Sequence, residues 1–202
     1  FEKHRGRTWV AHAYPYTKER ATFIVETTDL ALKEAGLEIH DETGAIGFCE
    51  KIFGEKLKGS RLYGNKSYWR RFPKVQCENW SYKNIVLVGD ALHTAHYSIG
   101  SGTKMAIDDS IALVEAIVDS ADLQTGLANY EIQRKPVCAS LQRAAQASLE
   151  WFENVDLYSD RLRNFEFPFS LLTRSLRVTH ANLNERDPDF VRKCDDEFRE
   201  KS

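Results

Sequence analysis

Two short stretches carry residue types that could do chemistry. In the first, Gly89 and Asp90 follow the apolar run Ile85, Val86, Leu87, Val88. A carboxylate at the carboxyl end of a strand stands where open α/β sheets bind ligands, and it can accept hydrogen bonds from the hydroxyls of a polyol. Gly89 lets the chain turn sharply and lets a ligand approach the backbone. In the second stretch, Gly100, Ser101, Gly102 and Thr103 mark the start of a helix. The free N–H groups of such a start carry about half a positive elementary charge and form an anion site. Between the two stretches, His93 and His96 have the spacing H-x-x-H, which raises the question of a metal. A catalytic zinc needs three protein ligands, and no carboxylate or cysteine is arranged to complete the set, so no metal is expected. No side chain stands out as a nucleophile, and no catalytic residue is assigned.

The elements that must position these groups follow from pattern. The β-branched run at residues 85–88 reads as a strand buried on both faces of an α/β layer. The helix that starts near Gly102 carries two apolar stripes at three-four spacing. One holds Ile107, Ile111, Val114 and Val118, the other Ala106, Leu113 and Ile117, with Asp108, Glu115 and Asp119 opposite. That pattern predicts a well-buried helix.

Upstream, residues 8–16 and 21–28 read as an antiparallel hairpin around the polar turn at 17–20, with large aromatic surfaces from Trp9, Tyr14, Tyr16 and Phe23. Thr28 and Asp29 offer an N-cap for a short helix that Gly36 closes. A second helix is expected over residues 45–57, weakened by Gly47 and Gly54. Residues 61–80 are aromatic and basic and read as a strand leading into the run at 85–88. Beyond Asp122 the chain becomes helical. Pro136 predicts a kink or break near Arg134 within residues 127–155. An amphipathic segment follows at 169–183, and a charged tail at 184–202 reads as a solvated helix or a linker.

At 202 residues, with 42% hydrophobic and 29% charged residues, the composition is that of a soluble globular protein. A net charge of -2 gives no case for nucleic acid or a membrane surface. No apolar run approaches the roughly 20 residues of a membrane span. The four cysteines, Cys49, Cys77, Cys138 and Cys194, are far apart and lack metal-ligand spacing. Reduced thiols in a cytoplasmic protein are therefore expected.

The pattern G-D-A-x-H, then G-x-G, then A-x-x-D and a final leucine is filled by Gly89, Asp90, Ala91, His93, Gly100, Gly102, Ala106, Asp109 and Leu113. It resembles the second FAD motif of the single-component flavoprotein aromatic hydroxylases, the p-hydroxybenzoate hydroxylase-like family. Tyr97, Lys104 and Leu92 depart from the proline, asparagine and alanine common there. The run TAHYSIGSGTK is more similar to a branch acting on aryl-CoA thioesters, such as salicylyl-CoA or 2-aminobenzoyl-CoA, or on indolic pigment precursors.

The resemblance implies that Gly89, Asp90, Gly100, Ser101, Gly102 and Thr103 bind FAD, with Asp90 on the ribityl hydroxyls and Asp109 bracing the loop. It places His93 in the loop beside the isoalloxazine and His96 and Tyr97 near the ring. With His12 of the N-terminal sheet, His96 and Tyr97 become candidate substrate-pocket residues. It implies NAD(P)H, O2 and an aromatic small molecule as partners, with a homodimer as one assembly.

The fingerprint G-x-G-x-x-G of a dinucleotide-binding half does not occur in the sequence. A C-terminal fragment of an FAD-dependent monooxygenase is therefore expected, with apolar faces that a missing N-terminal part of the same protein covers. The expected fold class is α/β, an α+β fragment. It comprises a substrate-domain sheet (1–80), the second half of an FAD-binding α/β layer (81–122) and a C-terminal helical region with a charged tail (123–202). The rivals are another flavin reaction on this scaffold, a halogenase or a reductase, and a non-catalytic helical interaction module.

Overall fold

The computed structural model describes residues 1–200. In chain order its strands are β1 (Glu2–His4), β2 (Arg7–Pro15), β3 (Ala21–Glu26), β4 (Ser81–Tyr82) and β5 (Ile85–Val86). Its helices are α1 (Asp29–Ala35), α2 (Glu42–Ile52), α3 (Gly54–Leu57), α4 (Gly102–Val118), α5 (Leu123–Glu153), α6 (Val155–Arg161), α7 (Glu166–Thr173), α8 (His180–Arg186) and α9 (Pro188–Arg199). The mixed α/β class is as expected, and helix predominates. The chain divides into two compact units: Phe1–Arg71 with Phe152–Leu162, and Phe72–Trp151 with the residues from Arg163 on.

In the first unit, β1, β2 and β3 form an antiparallel sheet in sequence order. The β2–β3 register runs from Val10 opposite Glu26 to Pro15 opposite Ala21. The turn between them is tightened by Thr17, whose hydroxyl accepts from Arg20 N at 3.0 Å. Strand alternation sends Trp9, Ala11, Phe23 and Val25 to one core, where Ala31, Cys49 and Phe53 meet them. Val10, His12 and Tyr14 take the opposite side of β2. Thr28 caps α1 by accepting from Ala31 N, and Gly36 closes it at φ +71°. The helix expected over 45–57 starts earlier, at Glu42 behind the Asp41 cap, and divides at the buried Phe53. Helix α6 is tied to β2 by Thr8 N, which donates to Asp156 Oδ1 at 2.6 Å.

The second unit corrects several expectations. Residues 61–80 form no strand; only an isolated bridge, Gln76 to His93, precedes β4. The run at 85–88 is not buried on both faces. β5 pairs only with β4, which leaves Ile85 63% exposed while Val86, Leu87 and Val88 pack on Trp80, Leu92, Met105 and Tyr130. Helix α4 buries the face holding Met105, Asp109 and Ala116. Its richest apolar stripe, Ile107, Ile111, Val114 and Val118, lies 52–75% exposed because no described element covers it. Helix α5 runs unbroken through Pro136. A proline costs one backbone bond, and burial of Tyr130, Cys138, Ala144, Ala145 and Trp151 along the same helix outweighs that loss.

Two shorter helices, α7 and α8, replace the single segment expected at 169–183; Leu176, at φ +59°, lies between them. In the tail, α9 begins behind Asp187, whose side chain accepts from Phe190 N, with Pro188 at its start. It buries Val191 and Cys194, so it is docked rather than solvated all round. No described helix is long and apolar enough to cross a membrane.

The buried thiols make stability sensitive to alkali. Burial pushes Cys49 up from 9.0 to about 11. Burial, reinforced by the Asp109 carboxylate, does the same for Cys138. Both values are raised on folding, so the unfolded chain releases these protons first. Their contribution is complete below 9.0 and is lost as pH rises through about 11. The urea midpoint should therefore fall between about pH 8 and about pH 10.5, with a shallower fall in a Cys49→Ala variant. An identical slope in both proteins would refute the linkage.

Candidate functional site

Val88 is extended and is followed by the 3-10 turn Gly89–Ala91. Gly89 adopts φ +60°, and a Cβ there would stand 3.0 Å from Ala106 Cβ on α4. Only glycine satisfies both the left-handed backbone and the close approach of turn to helix.

Asp109, fully buried on α4, fixes that turn. Its Oδ2 accepts from Gly89 N at 3.2 Å and lies 2.7 Å from His93 Nε2. Its Oδ1 accepts from Arg134 Nε at 3.0 Å and Nη2 at 2.9 Å. Cys138 Sγ adds a longer contact to Oδ1 at 3.6 Å. A carboxylate with no exposed surface is tolerable only when paired and hydrogen-bonded, and here α5 supplies the cation. The indole of Trp80 packs on Tyr130 and His93, with ring centres 5.4 and 5.9 Å away. The turn is thus clamped from both helices. His93, Asp109 and Cys138 place ligand atoms within 4.8 Å of one another. Arg134 already occupies the carboxylate with a permanent positive charge, which would oppose a metal ion there.

Beyond the clamp, Asp90 is exposed, and no hydrogen bond among the described residues engages it. The second predicted stretch lies at the start of α4. A 3-10 turn, Tyr97–Ile99, ends in Gly100 at φ +63°. Ser101 precedes the helix without a side-chain cap; its hydroxyl donates to Ile99 O instead. No acidic residue occupies the first turn of α4, and a Cβ on Gly102 would meet nothing within 4 Å. Gly100, Ser101, Gly102 and Thr103 therefore stay outside the core, with an open, electropositive helix end. A polyol-accepting carboxylate and an open glycine cradle are what the ribityl chain and ring of a flavin require, so these residues fit that group.

The candidate pocket residues fall in different units. His12 belongs to the first, where its Nε2 lies 3.0 Å from Glu26 Oε2 and its ring meets Phe152 with centres 5.3 Å apart. His96 and Tyr97 belong to the second and stack on each other with centres 4.5 Å apart. Phe72 approaches Tyr97 at 5.6 Å. His96 also borders a small cleft of about 130 Å³, lined among others by Phe72, Lys74, Gln142 and Leu149. Sequence reasoning assigned no role to Arg134, Ser148 or Arg174. Arginine and serine on helices read as solvated faces unless a buried acceptor is known to wait for them.

The candidate site is thus a strand-end turn packed on the start of a long helix, with a glycine at each approach. No family model matches the chain. It is 36% identical over 200 residues to salicyloyl-CoA 5-hydroxylase of a Streptomyces species, covering 93% of this chain and 38% of that protein. It is 40% identical over 175 residues to 3-hydroxy-4-methyl-anthranilyl-(aryl-carrier protein) 5-monooxygenase of Streptosporangium sibiricum, covering 86% of this chain and 45% of the relative. In structure it is similar to Pseudomonas aeruginosa PqsL, solved in complex with 2-aminobenzoylacetate. That likeness has a TM-score of 0.55 and 22% identity, covers 74% of this chain and 42% of the other, and bears on the fold alone. In sequence the chain is thus similar to parts of proteins named as monooxygenases or hydroxylases of aryl groups, and it spans less than half the length of the curated relatives it matches.

Proposed function

We propose that the chain forms the flavin-facing and substrate-facing part of an NAD(P)H-using, FAD-dependent monooxygenase that hydroxylates an aromatic ring, with aryl thioesters as the substrate class. The observation that carries this reading is the open start of α4 beside the Gly89–Asp90 turn, clamped by Asp109. Both relatives named above act, by their names, on an aryl group held by CoA or a carrier protein. When bound, the flavin supplies the redox chemistry: reduced by NAD(P)H, it activates O2 and delivers one oxygen atom to the ring.

The chain's own residues bind and orient. Asp90 accepts hydrogen bonds from the polyol of FAD. The backbone of Gly100, Ser101, Gly102 and Thr103 meets the flavin, and the positive end of α4 favours negative charge on the ring. His96 and Tyr97 serve the aromatic substrate in the second unit. The protein acts in the cytoplasm, where its four free thiols stay reduced.

Asp90→Ala should weaken FAD retention by roughly 10- to 100-fold, the loss expected for hydrogen bonds to a charged acceptor worth about 1.5–3 kcal/mol. Titration by flavin fluorescence quenching measures it, and equal affinity in both proteins would refute the assignment. The activity itself is tested by NAD(P)H oxidation and product analysis with aryl-CoA thioesters against free phenolic acids. Hydroxylated thioester supports the reading; no stimulation by either class overturns it.

A further inference from the structure

A second polar chain runs beside the proposed flavin site, and its direction is fixed by chemistry. Arg174 follows α7, and a guanidinium has donors only. Its Nε donates to Ser148 Oγ at 2.9 Å, its Nη2 to Ser98 O at 2.8 Å and its Nη1 to Leu171 O at 2.6 Å. Ser148 lies on α5 with no exposed surface. Its hydroxyl is 2.7 Å from Ser98 Oγ, and Ser98 Oγ is in turn 2.7 Å from His96 Nδ1.

Ser148 Oγ receives the arginine proton and must send its own elsewhere. Among the described hydrogen bonds the only acceptor for it is Ser98 Oγ. Ser98, having accepted, donates its proton to His96 Nδ1. In the opposite arrangement, with His96 donating from Nδ1, Ser98 would donate to Ser148. Ser148 would then hold two incoming donors and a buried proton with no acceptor, a penalised state.

We infer that Arg174 acts through Ser148 and Ser98 as a positioning residue. It holds His96 as the tautomer with its proton on Nε2, so that the imidazole offers a directed hydrogen bond to an oxygen of the aryl substrate, either the acyl carbonyl or a ring oxygen. The tautomer follows from the chain of donors alone. The substrate oxygen rests on the function proposed above. The same arginine also anchors the backbone of Ser98, in the turn that precedes Gly100 and α4.

Two-bond proton–nitrogen correlation spectra of the 15N-labelled protein at about pH 8, above the ordinary imidazole range, read the tautomer of each histidine directly. His96→Gln identifies the His96 signals. The expected result is a pyridine-type Nδ1 and a pyrrole-type Nε2 at His96. Ser148→Ala should raise the Nδ1-protonated fraction several-fold, and Ser148→Thr should restore the wild-type pattern. Ser98→Ala serves as the second variant if Ser148→Ala fails to fold.

A protonated Nδ1 in the wild type overturns the relay. So does a pattern unchanged by a folded Ser148→Ala or Ser98→Ala protein. Addition of an aryl-CoA thioester should shift the His96 Nε2–H signal. An unmoved signal while the thioester is hydroxylated removes the substrate contact and leaves the proposed activity standing. No hydroxylation, with the tautomer as expected, removes the activity and leaves the relay standing.

Discussion

Asp109→Ala is expected to cost about 3–5 kcal/mol of folding stability, because it strands the buried Arg134 guanidinium without its counter-charge. Asp109 is fully buried and the Arg134 side chain is 11% exposed, so water screens neither. The same substitution frees Gly89 N and His93 Nε2 from their shared acceptor. Arg134→Met should cost a similar amount from the other side, leaving a buried carboxylate with His93, the Gly89 N–H and the weak Cys138 thiol contact but no permanent counter-charge. The double replacement Asp109→Leu with Arg134→Met should recover much of the loss, since an apolar pair of similar volume avoids burying charge at all. Urea midpoints of the two singles and the double close a double-mutant cycle. Losses below about 1 kcal/mol in both singles would mean that water reaches the pair and that the clamp is not buried in solution. The clamp has a functional consequence as well. Asp109 stands one bond from the Gly89–Asp90 turn, so the double variant should fold yet bind flavin more weakly, separating stability from turn geometry.

Trp9→Ala should cost a comparable 3–5 kcal/mol, now in the first unit. Trp9 has no exposed surface and packs against Phe48 and Trp69, with ring centres 4.6 and 5.7 Å away. Removing the indole empties the centre of the core between the sheet and α1 and α2. Trp9→Phe provides the informative contrast. The Nε1 of Trp9, like that of Trp69, is buried with no hydrogen-bond partner. Phenylalanine deletes that unsatisfied donor, relieving about 1–3 kcal/mol, against the smaller cavity left by the lost ring. Trp9→Phe should therefore cost well under half of what Trp9→Ala costs by urea unfolding. Equal costs would show that the indole N–H is satisfied, for example by a buried water.

Sequence alone determined the local elements whose signals are local. The β2–β3 hairpin and α1 follow from alternation, a polar turn, a threonine cap and a closing glycine, all within a few residues of one another. The Gly-Asp turn and the glycine-marked start of α4 were legible for the same reason: glycine is the residue that adopts the left-handed backbone of Gly89 and Gly100 without steric cost. Tertiary structure decided what depends on partners distant in the chain. Apolar periodicity states that a helix has a greasy side but not whether anything covers it, so α4 buries Asp109 and exposes Ile111 and Val118. Pro136 removes one backbone donor from the interior of α5, and only packing along that helix could show that it absorbs the loss. Arg134 and Asp109 lie 25 residues apart, and Arg174 and Ser98 lie 76 apart. Charge pairing and hydrogen-bond direction act across space, so the clamp on the turn and the relay to His96 exist only once the chain has folded.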